Sequence, residues 1–300
     1  MATNVVVSGA SAGVGRAIVR AFADAGCNVG LLARDPDRLR EAAGEVEARG
    51  GAAHAVPTDV ADADAVERAA EEIEQALGPI DVWVNVAMVT IFAPVHEIAP
   101  DEFRRSTEVT YLGAVYGTMA ALRRMRARRR GSIVQVGSAL AYRAIPLQSA
   151  YCGGKFALRG FTDSLRCELI HEKLPIGLTM VHLPGMNTPQ FDWALNKMPR
   201  KAQPVKPVYQ PEVAADAVVF AAFHRRREIW VGGSTWQVIL GNRVAPWLLD
   251  YILAAKAWGG QMRPAANPPD APANLFETVS GRYAAHGSFD AIARDKALTV

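Results

Sequence analysis

The chain has 300 residues, half of them apolar, which is enough for one large core or two small ones. A net charge of +3 from 33 basic and 30 acidic residues gives no general basic face for nucleic acid, and no apolar run is long enough to cross a bilayer. Three cysteines, Cys27, Cys152 and Cys167, match neither a metal-ligand nor a disulfide spacing. No metal is therefore expected, and with no secretory signal ahead of Thr3-Asn4 a reducing, cytoplasmic setting is.

Val5-Val6-Val7 reads as a buried parallel strand that opens into Ser8-Gly9-Ala10-Ser11-Ala12-Gly13-Val14-Gly15. A helical pattern follows through Ile18, Val19 and Phe22. Strand, glycine-rich turn and helix form the context in which a helix N-terminus holds a pyrophosphate. A second strand covers residues 28–33. Asp35 and Pro36 mark the start of a helix that stops at Gly50-Gly51. A third strand (52–56) leads to Thr58-Asp59-Val60, and a helix over 62–77 starts at the N-cap Asp62. The fourth strand is 80–86. One long helix is expected over 101–129, its arginines at 123–130 forming a solvated end.

The fifth strand ends at Ser138, at the carboxyl edge where open α/β sheets bind ligands. The next helix carries Tyr151 and Lys155, four apart and so on one face. A phenol of pKa near 10 is a poor proton carrier at neutral pH, and a neighbouring ammonium favours its phenolate. The sixth strand is 176–183. After Pro184-Gly185, residues 186–210 show many prolines and little periodicity. A helix over 213–223 and a strand over 228–231 complete a doubly wound parallel sheet. Residues 1–240 are assigned to this catalytic domain. Residues 241–300 are assigned to an extension, partly apolar to 258 and then an irregular tail; a weak contact of its apolar part with a membrane surface is a minor alternative to burial.

These motifs resemble the short-chain dehydrogenase/reductase family over about residues 3–235. The resemblance rests on Gly9-x-x-x-Gly13-x-Gly15, Asp59-Val60, Ser138, Tyr151-x-x-x-Lys155 and Pro184-Gly185. It implies a Rossmann fold, a bound NAD(P), and hydride transfer between nicotinamide and a carbonyl or alcohol carbon. By resemblance Tyr151 is the general acid or base, Lys155 lowers its pKa and bonds the nicotinamide ribose, and Ser138 orients the substrate oxygen. Gly9, Ser11, Gly13, Val14 and Gly15 then follow the phosphates and ribose. Asp59 and Val60 face the adenine, Asn85 and Ala87 lie near the ribose, and Pro184, Gly185 and Thr188 flank the nicotinamide. Three departures stand out. Met88 replaces a glycine, Thr110 replaces the asparagine that serves as a fourth catalytic residue, and the Pro184–Thr188 spacing is one residue short.

Further expectations concern ligands and assembly. The second strand ends in Ala33-Arg34 with no acidic residue, so Arg34 is read as a fork for a 2′-phosphate and NADP(H) is preferred over NAD(H). Ala139, Leu140, Tyr142, Met186, Phe191 and Trp193 outline an apolar pocket for a hydrophobic ketone or secondary alcohol. Phe156, Leu158, Phe161 and Leu165 spread around the Tyr151 helix more widely than one sheet face covers. In the resembled family this helix pairs between subunits, which implies a homodimer or homotetramer. The alternative reading is a dinucleotide-binding sensor or scaffold with little turnover.

Overall fold

The computed structural model describes residues 2–281 and 283–298. Residues 282, 299 and 300 of the expected tail lie outside the described residues. Seven strands form one parallel sheet: β1 (Asn4–Ser8), β2 (Asn28–Ala33), β3 (Ala53–Pro57), β4 (Val82–Asn85), β5 (Gly131–Ser138), β6 (Ile176–Leu183) and β7 (Glu228–Trp230). Their spatial order is β7-β6-β5-β4-β1-β2-β3. The order reverses between β1 and β4, and the crevice beyond their carboxyl ends is where such sheets bind ligands. Val5, Val6 and Val7 in β1 are at most 1% exposed. Each such burial stabilises by about 1.5–3 kcal/mol, which is why this strand is central.

Helices cover both faces: α1 (Gly13–Asp24), α2 (Pro36–Glu47), α3 (Ala63–Leu77), α4 (Pro100–Thr107), α5 (Gly113–Arg128), α6 (Ser149–His171) and α7 (Pro211–Phe223). Asp35 caps α2 by accepting from the amides of Asp37 and Arg38, and Asp62 caps α3 by accepting from Ala65. The expected single helix over 101–129 is instead two, joined by a π-type turn at Glu108–Leu112. The arginine run is not simply solvated. Arg124 bonds Glu67 and Glu74 on α3, Arg128 also reaches Glu74, and Arg130 reaches Asp81. On α6, Leu158 and Leu165 are spent on the core and Phe161 is partly buried, so Phe156 alone of the expected four is exposed.

The end of the chain departs most from expectation. The boundary expected at residue 240 falls inside α8 (Gly233–Val244), which is followed after one residue by α9 (Pro246–Gly260). The tail is not merely irregular. Met262–Ala266 pairs antiparallel with Arg200–Ala202, and Ala293–Arg294 pairs with Val208–Tyr209. Leu275, Val279, Ala285 and Phe289 are buried. The proline-rich 186–210 segment thus gains part of its order from tail strands that its own periodicity does not reveal, and part from Ile91–Phe92, which pairs with Leu195–Asn196.

Candidate active site

A groove of about 400 Å³ runs along the carboxyl ends of the strands from the glycine turn to α8–α9. At one end the turn after β1 meets α1 at very short range. Gly9 has φ +78°, and a Cβ there would lie 2.8 Å from Ala87 Cα. A Cβ on Gly15 would lie 2.0 Å from the Gly9 carbonyl oxygen. Only hydrogens fit at either place, so the backbone itself forms the cradle. The amides of Val14 and Gly15, unpaired with backbone among the described residues, remain for an anion at the α1 N-terminus. Gly13 N–H is already spent on the carbonyl of Ala284.

The tail crosses this end of the groove. Arg34 donates to the carbonyls of Asn274 at 2.5 Å and Phe276 at 2.8 Å. Burial and the nearby Arg105 both push its pKa down. Arg105 in turn donates to the Leu275 carbonyl and pairs with Asp59 at 2.5 Å. Arg34 therefore clamps the tail, a use its position after β2 does not disclose.

Arg38, which the sequence reading missed, lines the same groove. It is 7% exposed, pairs with Asp35 at 2.6 Å, and lies over the rings of Trp193 and Tyr283. Its Nε and Nη1 are buried without a hydrogen-bond partner. A readable signal existed: Arg38 stands four residues after Arg34, in the first turn of α2.

At the other end, Ser138, Tyr151 and Lys155 are brought together. Ser138 closes β5, where its Oγ accepts from the Leu140 amide at 3.1 Å. Tyr151 sits in the first turn of α6. Burial pushes its phenol above the usual value near 10, and a hydrogen bond with Ser138 opposes that rise. Lys155 lies 5.6 Å from the Tyr151 ring centre and donates to the Val136 carbonyl at 2.8 Å. Burial alone lowers its pKa to about 8. The expected lowering of the phenol pKa by Lys155 is thus not what this geometry gives; desolvation dominates.

Two expected site residues serve the scaffold instead. Thr110 donates its hydroxyl to the Val89 carbonyl at 3.0 Å and accepts from the Val89 amide at 3.2 Å. It packs against Gly154 and does not line the groove. Asn85 is buried, accepting from Trp83 Nε1 and donating to Thr118 and Gln135. Ala87 and Met88 do line the groove, as do Ser11, Val60, Pro184, Gly185 and Thr188. Tyr142 turns away from it, donating to Glu228 beneath the Arg159 guanidinium. A second unforeseen residue, His182, is fully buried behind Ser138 and contacts its carbonyl through Nδ1 at 3.1 Å. Burial holds its imidazole well below the usual histidine pKa. No sequence signal separates His182 from the apolar residues of β6.

A family model described as short chain dehydrogenase matches residues 3–198. The chain belongs to the short-chain dehydrogenase/reductase family. It is an oxidoreductase of that family with an NAD(P)-binding Rossmann fold. An uncharacterised oxidoreductase of Bacillus subtilis is 31% identical, covering 93% of this chain and 79% of its own. A 3-dehydrosphinganine reductase of Danio rerio is 31% identical over 97% and 85%, and a fatty acyl-CoA reductase of Acinetobacter baylyi 31% over 75% and 74%. Among solved structures, an alcohol dehydrogenase from Thermococcus sibiricus complexed with 5-hydroxy-NADP superposes with a TM-score of 0.65. It is 25% identical, over 77% of this chain and 96% of that one. These relatives are named for turnover, which does not favour the binding-only alternative. Three features of the groove fit a nicotinamide dinucleotide: the cradle a Cβ would fill, the orphan amides of α1, and the unpartnered nitrogens of Arg38.

Proposed function

We propose that this protein interconverts a hydrophobic ketone and secondary alcohol with NADP(H), Tyr151 acting as general acid in reduction and general base in oxidation. The observation that carries this reading is the convergence of Ser138, Tyr151 and Lys155 at the apolar end of a dinucleotide groove. A bound nicotinamide supplies or accepts the hydride. Ser138 Oγ holds the substrate oxygen beside the phenol. Tyr151, protonated at neutral pH as any phenol is, passes its proton to that oxygen in reduction and takes it back in oxidation. Lys155, once turned from the Val136 carbonyl, supports the phenolate left behind.

The substrate end is walled by Leu140, Ile145, Met186, Phe191, Leu249 and Leu253. Its cations are Arg143, tied to Asp250, and the exposed Lys206 at the rim. Such a wall suits an alkyl or aromatic group better than a phosphorylated one. Two relatives, named for a fatty acyl-CoA and for 3-dehydrosphinganine, lean the same way. Turnover of a ketone series of rising alkyl length tests this: kcat/KM should climb with chain length, and a flat or falling series contradicts it.

The preference for NADP(H) is assigned to Arg34 and Arg38 together, with Arg38 the larger share because its donors are unspent. Losing an arginine–phosphate pair costs about 1.5–3 kcal/mol, or roughly one to two decades of affinity. Arg38→Ala should therefore weaken NADPH by that factor and leave NADH nearly unchanged. Arg34→Ala should weaken NADPH less. Titration of both cofactors decides, and equal loss for both removes the arginines from the 2′-phosphate.

Assembly as a homodimer through α5 and α6 is proposed on the exposed Met119 and Phe156. Light scattering at micromolar concentration should give twice the chain mass; a single-chain mass contradicts it. The free thiols of Cys27, Cys152 and Cys167 agree with a cytoplasmic setting, with Cys167 exposed.

A further inference from the structure

Nineteen large apolar side chains are exposed among the described residues, and eight of them crowd onto α8 and α9. Trp236, Leu240 and Val244 follow one another at four-residue spacing along α8, so they share a face. On α9, Trp247, Leu248, Tyr251, Ile252 and Trp258 form a second exposed face. The opposite faces are committed inward. Val238, Leu249 and Leu253 line the groove, and Ile239 and Ala257 are buried. Leu248 and Ile252 are thus each one residue from a wall of the substrate site.

The charges on these helices have a sign. Their single carboxylate, Asp250, is paired with Arg143. Arg243 and Lys256 are exposed and enter no ion pair among the described residues. The outer face therefore combines three tryptophans and a tyrosine with uncompensated positive charge. Aromatic rings of this kind favour a boundary between apolar chains and polar headgroups, and unpaired cations favour anionic headgroups. A second copy fits less well, because a twofold contact would bring these cations together with no free carboxylate on the face to answer them. Among the described residues no helix is long and apolar enough to cross a membrane, so α8 and α9 can only lie along its surface.

We propose that α8 and α9 seat the protein on an anionic lipid bilayer, with their outer faces in the headgroup layer. The substrate site then draws its apolar substrate from the lipid side; this second clause rests on the hydrophobic-substrate reading above, and the docking does not.

The test uses the intact protein and sedimentation with phosphatidylcholine vesicles, with and without phosphatidylglycerol. Wild type should bind the anionic vesicles at least about tenfold more tightly than the neutral ones. The double variant Trp247→Ser/Tyr251→Ser should lose about tenfold of that binding. Both positions are open, at 64% and 74% exposure, and neither lines the groove, so its melting temperature and its rate on a short soluble ketone should match wild type. The pair Arg243→Glu/Lys256→Glu should lose the preference for anionic vesicles. Absence of wild-type binding to either vesicle overturns the proposal. So does a Trp247/Tyr251 variant that halves the solution mass while vesicle binding persists, since the face is then a subunit contact. Docking as expected with no rate gain for long-chain over short-chain ketones on vesicles supports the surface and contradicts the hydrophobic-substrate reading.

Discussion

Replacing Tyr151 with phenylalanine should lower turnover at least about a hundredfold while leaving dinucleotide affinity within about twofold. The change removes one hydroxyl and keeps the ring, so the packing of α6 against β5 is preserved. The ring also keeps its place beside the Lys155 ammonium, 5.6 Å from its centre. What disappears is the group that exchanges a proton with the substrate oxygen. Steady-state kinetics and a cofactor titration separate the two effects. Retained turnover would remove Tyr151 from the chemistry. Lost cofactor binding would instead give it a structural role.

Replacing Gly15 with alanine should abolish measurable dinucleotide binding and lower stability by about 1–3 kcal/mol. The added methyl would stand 2.0 Å from the Gly9 carbonyl oxygen and 2.8 Å from its carbon. Both are backbone atoms, so no flexible side chain can swing aside. Either α1 withdraws from β1 or the turn opens, and each response spoils the cradle and the orphan amides of Val14 and Gly15. Gly44, within α2, is the matched control. A Cβ there meets nothing within 4 Å, and alanine should stabilise the helix by up to about 1 kcal/mol. Thermal melts with cofactor titration read both variants. A Gly15→Ala protein that binds NADPH like wild type would show that the close approach is not needed.

The sheet was legible in the sequence because its inner strands are buried on both faces and so appear as apolar runs such as Val5-Val6-Val7. Caps were legible for the same local reason: Asp35-Pro36 and Asp62 carry their chemistry within three residues of the helix they start. The proximity of Ser138, Tyr151 and Lys155 was legible because Tyr151 and Lys155 lie one helical turn apart and Ser138 ends a strand. Thr110 and Asn85 misled because a side chain's partner is a tertiary fact. Thr110 is bonded to Val89 and Asn85 to Thr118 and Gln135, none of which a local pattern connects to them. Arg34 has a further role that was hidden in the same way. Its guanidinium meets carbonyls from residues 274–276, about 240 positions further along the chain. The tail could not be read at all from periodicity, since Met262–Ala266 and Ala293–Arg294 take their form from strands of the proline-rich segment.

The measurement that bears most directly on this account is product analysis after incubation of the wild-type protein with NADPH and a series of apolar ketones. The expected result is secondary alcohol formed in equal amount to the NADP⁺ produced, with the long-chain members converted fastest and none converted by Tyr151→Phe at a comparable rate. Tight binding of NADPH with no alcohol from any member of the series would contradict it, and would leave a protein that holds the dinucleotide without using it.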